Sequence, residues 1–212
     1  MKTKKDQKAK ERKEEAKRLY REGFAVACQQ GRDLEERHKK AAEWYLKAAR
    51  LGLAEAQYAL GMHYRFDRGC TDEEKARKWL RAAAEQGHTE AQYRMGEVLE
   101  FGRDRKADAE AAMWYRKAAR KGHKEAMCAL AGLYEIGHGV RQSYRLAFKW
   151  YLKAAEQYDY CDAQYHLGLM YLYGDGVKKD DKEAAKWFRA AAECGLEPAM
   201  KELEFLGEEL PD

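Results

Sequence analysis

The sequence predicts an all-α protein built as a stacked α/α solenoid of helix-turn-helix repeats, and three observations carry that prediction. Four octapeptides, AEAQYALG (54–61), TEAQYRMG (89–96), KEAMCALA (124–131) and CDAQYHLG (161–168), start 35, 35 and 37 residues apart. All five tryptophans, Trp44, Trp79, Trp114, Trp150 and Trp187, keep nearly that register at 35, 35, 36 and 37, each inside an A-x-x-W-x-x-x-A-A frame. The composition agrees: among 212 residues there are one serine (Ser143), two prolines and no asparagine, beside abundant Ala, Glu, Lys and Arg. Those are helix formers, with few strand or turn residues among them.

Each tryptophan frame reads as the second helix of a repeat. Positions −3, 0 and +4 fall on one stripe, so an indole is flanked by methyl-sized residues such as Ala76, Ala83 and Ala84, and a neighbouring helix can approach closely there. Eight residues after each Trp stands a glycine (Gly52, Gly87, Gly122, Gly195), except that Tyr158 takes the place in the fourth copy. Glycine there supplies the left-handed cap that ends a helix.

The octapeptides open the first helix of each repeat. Ala56, Leu60, Gly61 and Tyr64, with Ala91, Met95, Gly96 and Leu99, Ala126, Leu130, Ala131 and Tyr134, and Ala163, Leu167, Gly168 and Tyr171, share one buried face by their spacing. Short loops with Gly69, Gly102, Gly137, Gly139, Gly174 and Gly176 join first helix to second, followed by N-cap signals at Thr71 with Glu74 and Asp180 with Glu183. A unit of about 36 residues cannot bury both of its faces alone, so copies must stack.

Hydrophobic residues at 45% exclude a disordered chain, while a mean hydropathy of −0.88 marks a highly charged surface. MKTKKDQKAKERKEE at the start contains no apolar core of a secretory signal, and no apolar run reaches membrane-spanning length. The expectation is a soluble, cytoplasmic chain, or a secreted or periplasmic one if a leader has been removed. Residues 1–22 hold ten Lys or Arg against five Asp or Glu, a local +5 against a net charge of +4 for the chain, so the other 190 residues sum to about −1 and the basic segment reads first as a solvated helix. Five cysteines (Cys28, Cys70, Cys128, Cys161, Cys194) form no C-x-x-C and read as small helix-packing residues rather than a zinc ribbon or a disulfide framework.

The pattern A-x-Y-x-L-G-x-x-Y, then G-x-G-V, then A-x-x-W-Y-x-K-A-A-E-x-G resembles the Sel1-like repeat, a relative of the tetratricopeptide repeat. HLGLMYLYGDGVKKDDKEAAKWFRAAAECG (166–195) carries the likeness best, followed by ALAGLYEIGHGVRQSYRLAFKWYLKAAEQ (129–157). The resemblance covers about 90% of the chain and implies a right-handed superhelical α/α solenoid. It divides the chain into a basic N-terminal helix with a divergent first repeat (1–52), four repeats (53–87, 88–122, 123–158, 159–195) and a capping helix with an acidic tail (196–212). Two repeats depart from the loop pattern, with FDRGCTDE and FGRDRKAD in place of G-x-G-V. Glu204 stands where close helix approach needs glycine, so no further repeat is expected to pack there.

The resemblance also implies a concave groove lined by first helices, in which residues two before and two after the Leu-Gly leucine point inward. Here these are Tyr58 and Met62, Tyr93 and Glu97, Cys128 and Gly132, and Tyr165 and Leu169, with Arg65, Glu100, Glu135 and Leu172 a turn further on. Rigidly held tyrosines make good interface anchors, and the same tyrosines could equally pack between adjacent first helices. The implied activity is that of a non-enzymatic, bacterial-type adaptor or scaffold taking a partner protein or peptide, with no cofactor, metal or small-molecule substrate.

Catalytic patterns are scarce. The lone serine sits in SYRL, so the S-x-x-K and S-D-N elements of β-lactam enzymes are absent, which argues against the β-lactam binding or hydrolysis described for some secreted relatives. Those relatives pair a cysteine ending one repeat with one opening the next, and the junctions AARLGLAEAQY and AAEQGHTEAQY contain none. His88, His123 and His138 lie in turns without metal-ligand spacing. The alternative to groove binding is association with nucleic acid or an acidic membrane through residues 2–21, which lack aromatic interleaving and carry four acids beside their ten Lys and Arg. Self-association, head to tail between the acidic end and the basic helix of another copy, is the expected departure from a monomer.

Overall fold

The computed structural model describes residues 4–29, 34–67, 71–100 and 105–209. Cys70 and the loop glycines Gly69 and Gly102 lie outside them, as do parts of FDRGCTDE and FGRDRKAD. Among the described residues there are eleven α-helices and no strand. The chain forms two units, residues 1–98 and 99–212.

In the first unit, α1 (Lys4–Ala27) pairs with α2 (Leu34–Arg50), α2 with α3 (Ala54–Phe66), and α3 with α4 (Glu73–Glu85); α5 (Thr89–Glu100) follows and runs across the boundary. Its core gathers Ala16, Leu19, Ala48, Ala49, Ala56 and Leu60, with Trp44, Tyr45 and Trp79 packed against it. Only the second half of α1 is packed; Lys4 through Glu14 are exposed at every position.

The second unit continues with α6 (Arg105–Arg120), α7 (Lys124–Ile136), α8 (Tyr144–Tyr158), α9 (Cys161–Tyr173), α10 (Asp181–Glu193) and α11 (Glu197–Leu206), each from α6 onward packing against the next. Leu172, Phe188, Ala191, Ala192, Ala199 and Leu203 form the core at its end. Leu203 is buried and Glu204 exposed, so α11 buries one face only.

The alanine pairs behave as their spacing requires: Ala48–Ala49, Ala83–Ala84, Ala118–Ala119, Ala154–Ala155 and Ala191–Ala192 are all buried. The side chain that fills the close approach, however, is the residue after the tryptophan at Trp44, Trp79 and Trp187. A Cβ added at Gly61 would stand 2.7 Å from Leu80, one at Gly23 would stand 2.9 Å from Tyr45, and one at Gly168 would run into the Phe188 ring. Leu80, Tyr115, Tyr151 and Phe188 are fully buried, whereas of the tryptophans only Trp114 is. Lysines three residues on lie over the Trp44, Trp114 and Trp150 rings at 4.6, 4.1 and 5.5 Å, shielding the indole face with aliphatic stem and charge.

Repeat junctions are sealed by the glutamine of the A-Q-Y motif. Gln57 Nε2 donates to the Ala49 carbonyl at 3.2 Å and Gln92 Nε2 to the Ala84 carbonyl at 3.0 Å, adding a second bond to helix-end acceptors that the Gly52 and Gly87 amides also reach. His88 and His123 act at helix starts, accepting from the Ala91 and Ala126 amides at 3.2 and 3.3 Å. Their expected place in the turns is therefore a capping role.

Four local expectations are corrected. The N-cap of α4 is Asp72, which accepts from Lys75 N, rather than Thr71; an aspartate one residue on offers a stronger acceptor to the first turn. Tyr158, standing where the other copies have a capping glycine, is the last residue of α8, and Asp159 takes the left-handed cap at φ 48°. Cys161 and Cys194, expected as separate packing residues, are joined in a disulfide across the start of α9 and the end of α10 with Cα atoms 6.2 Å apart. Antiparallel pairing of the two helices brings those ends within bridging range. Leu172, expected in a groove, is 7% exposed within the core, because it faces α10 rather than the first-helix surface.

The G-x-G loops work by close approach. Gly137, Gly139, Gly174 and Gly176 all have φ between 67° and 79°. A Cβ on Gly176 would lie 2.5–2.7 Å from the backbone of Tyr144 and Arg145, which a loop cannot relieve by moving a side chain. Gly176→Ala is accordingly expected to destabilise by about 2–3 kcal/mol in urea unfolding, combining left-handed strain with the clash. Gly52→Ala, at φ 94° with nothing within 4 Å, isolates the strain and should cost about 1 kcal/mol.

Candidate interaction face

On the first unit the first helices α3 and α5 present a linked set of polar and aromatic groups. Tyr58 is half-buried and stacked on His88, ring centroids 4.7 Å apart; burial raises its hydroxyl above the usual tyrosine range, with Glu90 adding and Arg94 opposing. Arg65 reaches from α3 to Glu97 on α5 at 3.3 Å, and Glu97 also takes Arg94 at 3.0 Å. The Arg94 guanidinium in turn lies over the Tyr93 ring at 5.1 Å. Met62 is half-buried, lining with Tyr45, His38, His63, Phe66 and Asp67 a recess of about 320 Å³. At its edge Asp67 receives both imidazoles, His38 Nδ1 at 2.6 Å and His63 Nδ1 on the other oxygen.

The second unit presents α7, α9 and α11, with Glu100 at its start accepting from Tyr115 Oη at 2.6 Å. Glu135 accepts from Tyr151 Oη at 3.0 Å, and the Tyr151 ring stacks on His166 at 4.6 Å and 5°. Burial holds His166 below the ordinary imidazole range, against the pull of Glu135 and Asp162, so its ring is neutral at pH 7. Burial likewise pushes the Cys128 thiol up to about 12, with Asp162, Glu135 and Glu125 adding. That sulfur stays protonated and is no nucleophile. Tyr165 is half-buried, tilted over Phe188 at 5.8 Å, and Leu169 packs on the same core. Both therefore serve packing as well as surface.

The structure brings Tyr58, Arg65, Tyr93 and Glu97 together through shared partners, and Cys128 and Glu135 through the Tyr151–His166 stack. Two large apolar side chains that sequence reading left out, Ile136 and Tyr173, are each 68% exposed at the last position of α7 and α9. Phe66 stands at the same position of α3, 59% exposed. Their signal was legible as a large apolar residue six after the Leu-Gly leucine, just before the loop. Among the described residues no cluster of three or more His, Cys, Asp and Glu could hold a metal ion, and no helix is long and apolar enough to cross a membrane.

A family model described as the Sel1 repeat matches residues 19–53, 54–88, 89–123, 124–159 and 161–196. The structure is similar to c5321, a protective antigen of uropathogenic Escherichia coli strains displaying an SLR fold (32% identity over 90% of this chain, TM-score 0.81). It is also similar to a Sel1 repeat protein from Oxalobacter formigenes (33% identity over 89%, TM-score 0.74). The chain spans 41% of the first of those proteins and 76% of the second. Immunity protein PA5088 of Pseudomonas aeruginosa is more distant, at 26% identity over 87% of this chain and 67% of its own, TM-score 0.52. No curated protein sequence matches the chain. The five matched repeats, the all-helical architecture and these likenesses make the chain a member of the Sel1 repeat family.

Proposed function

We propose that the chain is a protein-interaction adaptor or scaffold that takes a partner protein or peptide against its first helices. The observation that carries this reading is the pair Ile136 and Tyr173, each 68% exposed at the last position of a first helix, α7 and α9, both of which pack against α8. Large apolar side chains on rigid elements bury area with little ordering cost, and each lies beside groups already fixed in place, such as Glu135 with Tyr151. Sel1 repeat proteins generally serve as scaffolds for protein interactions, and the protective-antigen and immunity-protein relatives are compatible with a partner-binding role.

A photo-crosslinking residue at position 173, followed by mass-spectrometric identification and reconstitution with the purified partner, tests the proposal. Ile136→Ala/Tyr173→Ala should weaken the reconstituted complex at least tenfold while changing unfolding stability by less than about 1 kcal/mol, since exposed substitutions rarely cost more. A complex indifferent to both substitutions would move the binding site off this face.

A further inference from the structure

In the second unit α6 and α8 are basic and the first helices acidic, while α10 is balanced, with three Lys or Arg against three Asp or Glu. α6 holds five Lys or Arg against two Asp or Glu, and α8 three against one, whereas α7, α9 and α11 each hold more carboxylates than Lys and Arg. A cavity lies on the basic side. Beside α6, the loop before α8 and the first turn of α8 enclose an open recess of about 620 Å³, walled by Arg116, Tyr134, Val140, Arg141, Ser143 and Leu146. That volume accommodates one or two side chains of a partner and their backbone.

The recess is built for an anion with an apolar neighbour. Arg116 donates one guanidinium N–H to Tyr134 Oη at 2.9 Å, which fixes the fork in position while its other donors stay open. Arg141 is exposed on the loop. Among the described residues neither guanidinium is paired with a carboxylate. The Ser143 hydroxyl accepts from Leu146 N at 3.4 Å as the N-cap of α8, leaving its own hydrogen free to donate. Leu146 in its wall is 39% exposed and offers the apolar neighbour.

We propose that this recess is a second docking site, on the opposite kind of helix from the first, for a carboxylate-bearing segment of a partner protein. One or two Glu or Asp side chains engage the Arg116 and Arg141 forks, and flanking apolar residues pack on Val140 and Leu146. Two facts favour a peptide over a polyanion. Two arginines set in a partly apolar recess match one or two carboxylates on short aliphatic stems. A nucleic acid or anionic bilayer instead needs a continuous row of cations facing outward. Lys117 on α6 and Lys149 and Lys153 on α8 add to the positive charge of those helices, which speeds encounter with an acidic partner.

The test uses the full chain, probed against arrayed nine-residue peptides with two or three Glu set among Leu, Ala and Tyr, each beside its Glu→Gln counterpart. Hits are then measured by fluorescence anisotropy. Glu peptides should be retained at least tenfold better than their Gln counterparts. Arg141→Gln, at an exposed position that leaves folding intact, should weaken the best peptide at least threefold, and Arg116→Gln/Arg141→Gln at least tenfold. Ile136→Ala/Tyr173→Ala should leave that affinity unchanged, which separates this site from the first-helix face. The inference is overturned if no Glu peptide exceeds its Gln counterpart or if Arg141→Gln binds like the parent. It is equally overturned if duplex DNA or phosphatidylserine vesicles bind more tightly than every peptide in an Arg141-dependent manner.

Discussion

Phe188→Ala is expected to lower the stability of the second unit by about 3–5 kcal/mol. The ring is fully buried and occupies the space that the missing Cβ of Gly168 leaves on α9. Tyr165 lies over it, and Leu172, Ala199 and Leu203 complete its surroundings. Truncation removes the transfer free energy of a benzyl group and leaves a hole that stiff, alanine-rich helices cannot collapse into. Because repeat stacks are stabilised between neighbours, the loss should fall on α9, α10 and α11 together. Urea unfolding followed by amide exchange resolves this: protection should drop across residues 161–206 before it drops elsewhere in the unit. A loss under about 1 kcal/mol would mean that the residue after tryptophan is not the packing knob. Tyr173→Ala, on an exposed ring of the same repeat, is the natural comparison.

The same residue shows what could and could not be read in advance. Tryptophan at a fixed interval is rare enough to reveal the repeat, its length and the alternation of two helix types, and alanine spacing revealed the close-packed stripe. Which neighbour enters the glycine hole depends on helix rotation by one residue, about 100°, and composition does not resolve that between Trp187 and Phe188. Leu172 was misplaced for the same reason: on α9 it sits one position from the exposed Tyr173. Asp72 over Thr71 is likewise a one-residue matter. Pairings across helices are harder still. Glu135 with Tyr151 and His166, or Arg65 with Glu97, depend on the registry of helices that periodicity leaves open. The cavity around Arg116 and Arg141 joins residues 25 apart in sequence through a turn whose path the glycines permit but do not dictate.

Removal of the Cys161–Cys194 bridge is expected to cost about 4 kcal/mol. The two cysteines are 33 residues apart, and closing a loop of that size in the unfolded chain accounts for most of the figure on the chain-entropy account. The bridge ties the first residue of α9 to the cap of α10, so the repeat that holds Phe188 is clamped at its open end. Cys161→Ser, or full reduction, should lower the unfolding midpoint. Non-reducing digestion should yield a peptide linking residues 161 and 194 in the parent only. Thiol labelling supplies a control, since exposed Cys28 should react quickly, whereas Cys128, held protonated by burial, should react only on unfolding. Bridges of this kind persist in oxidising compartments and are reduced in the cytosol. A cytoplasmic chain would therefore work about 4 kcal/mol below the stability of the oxidised form, and a midpoint unchanged by reductant would show that α9 and α10 hold together by packing alone.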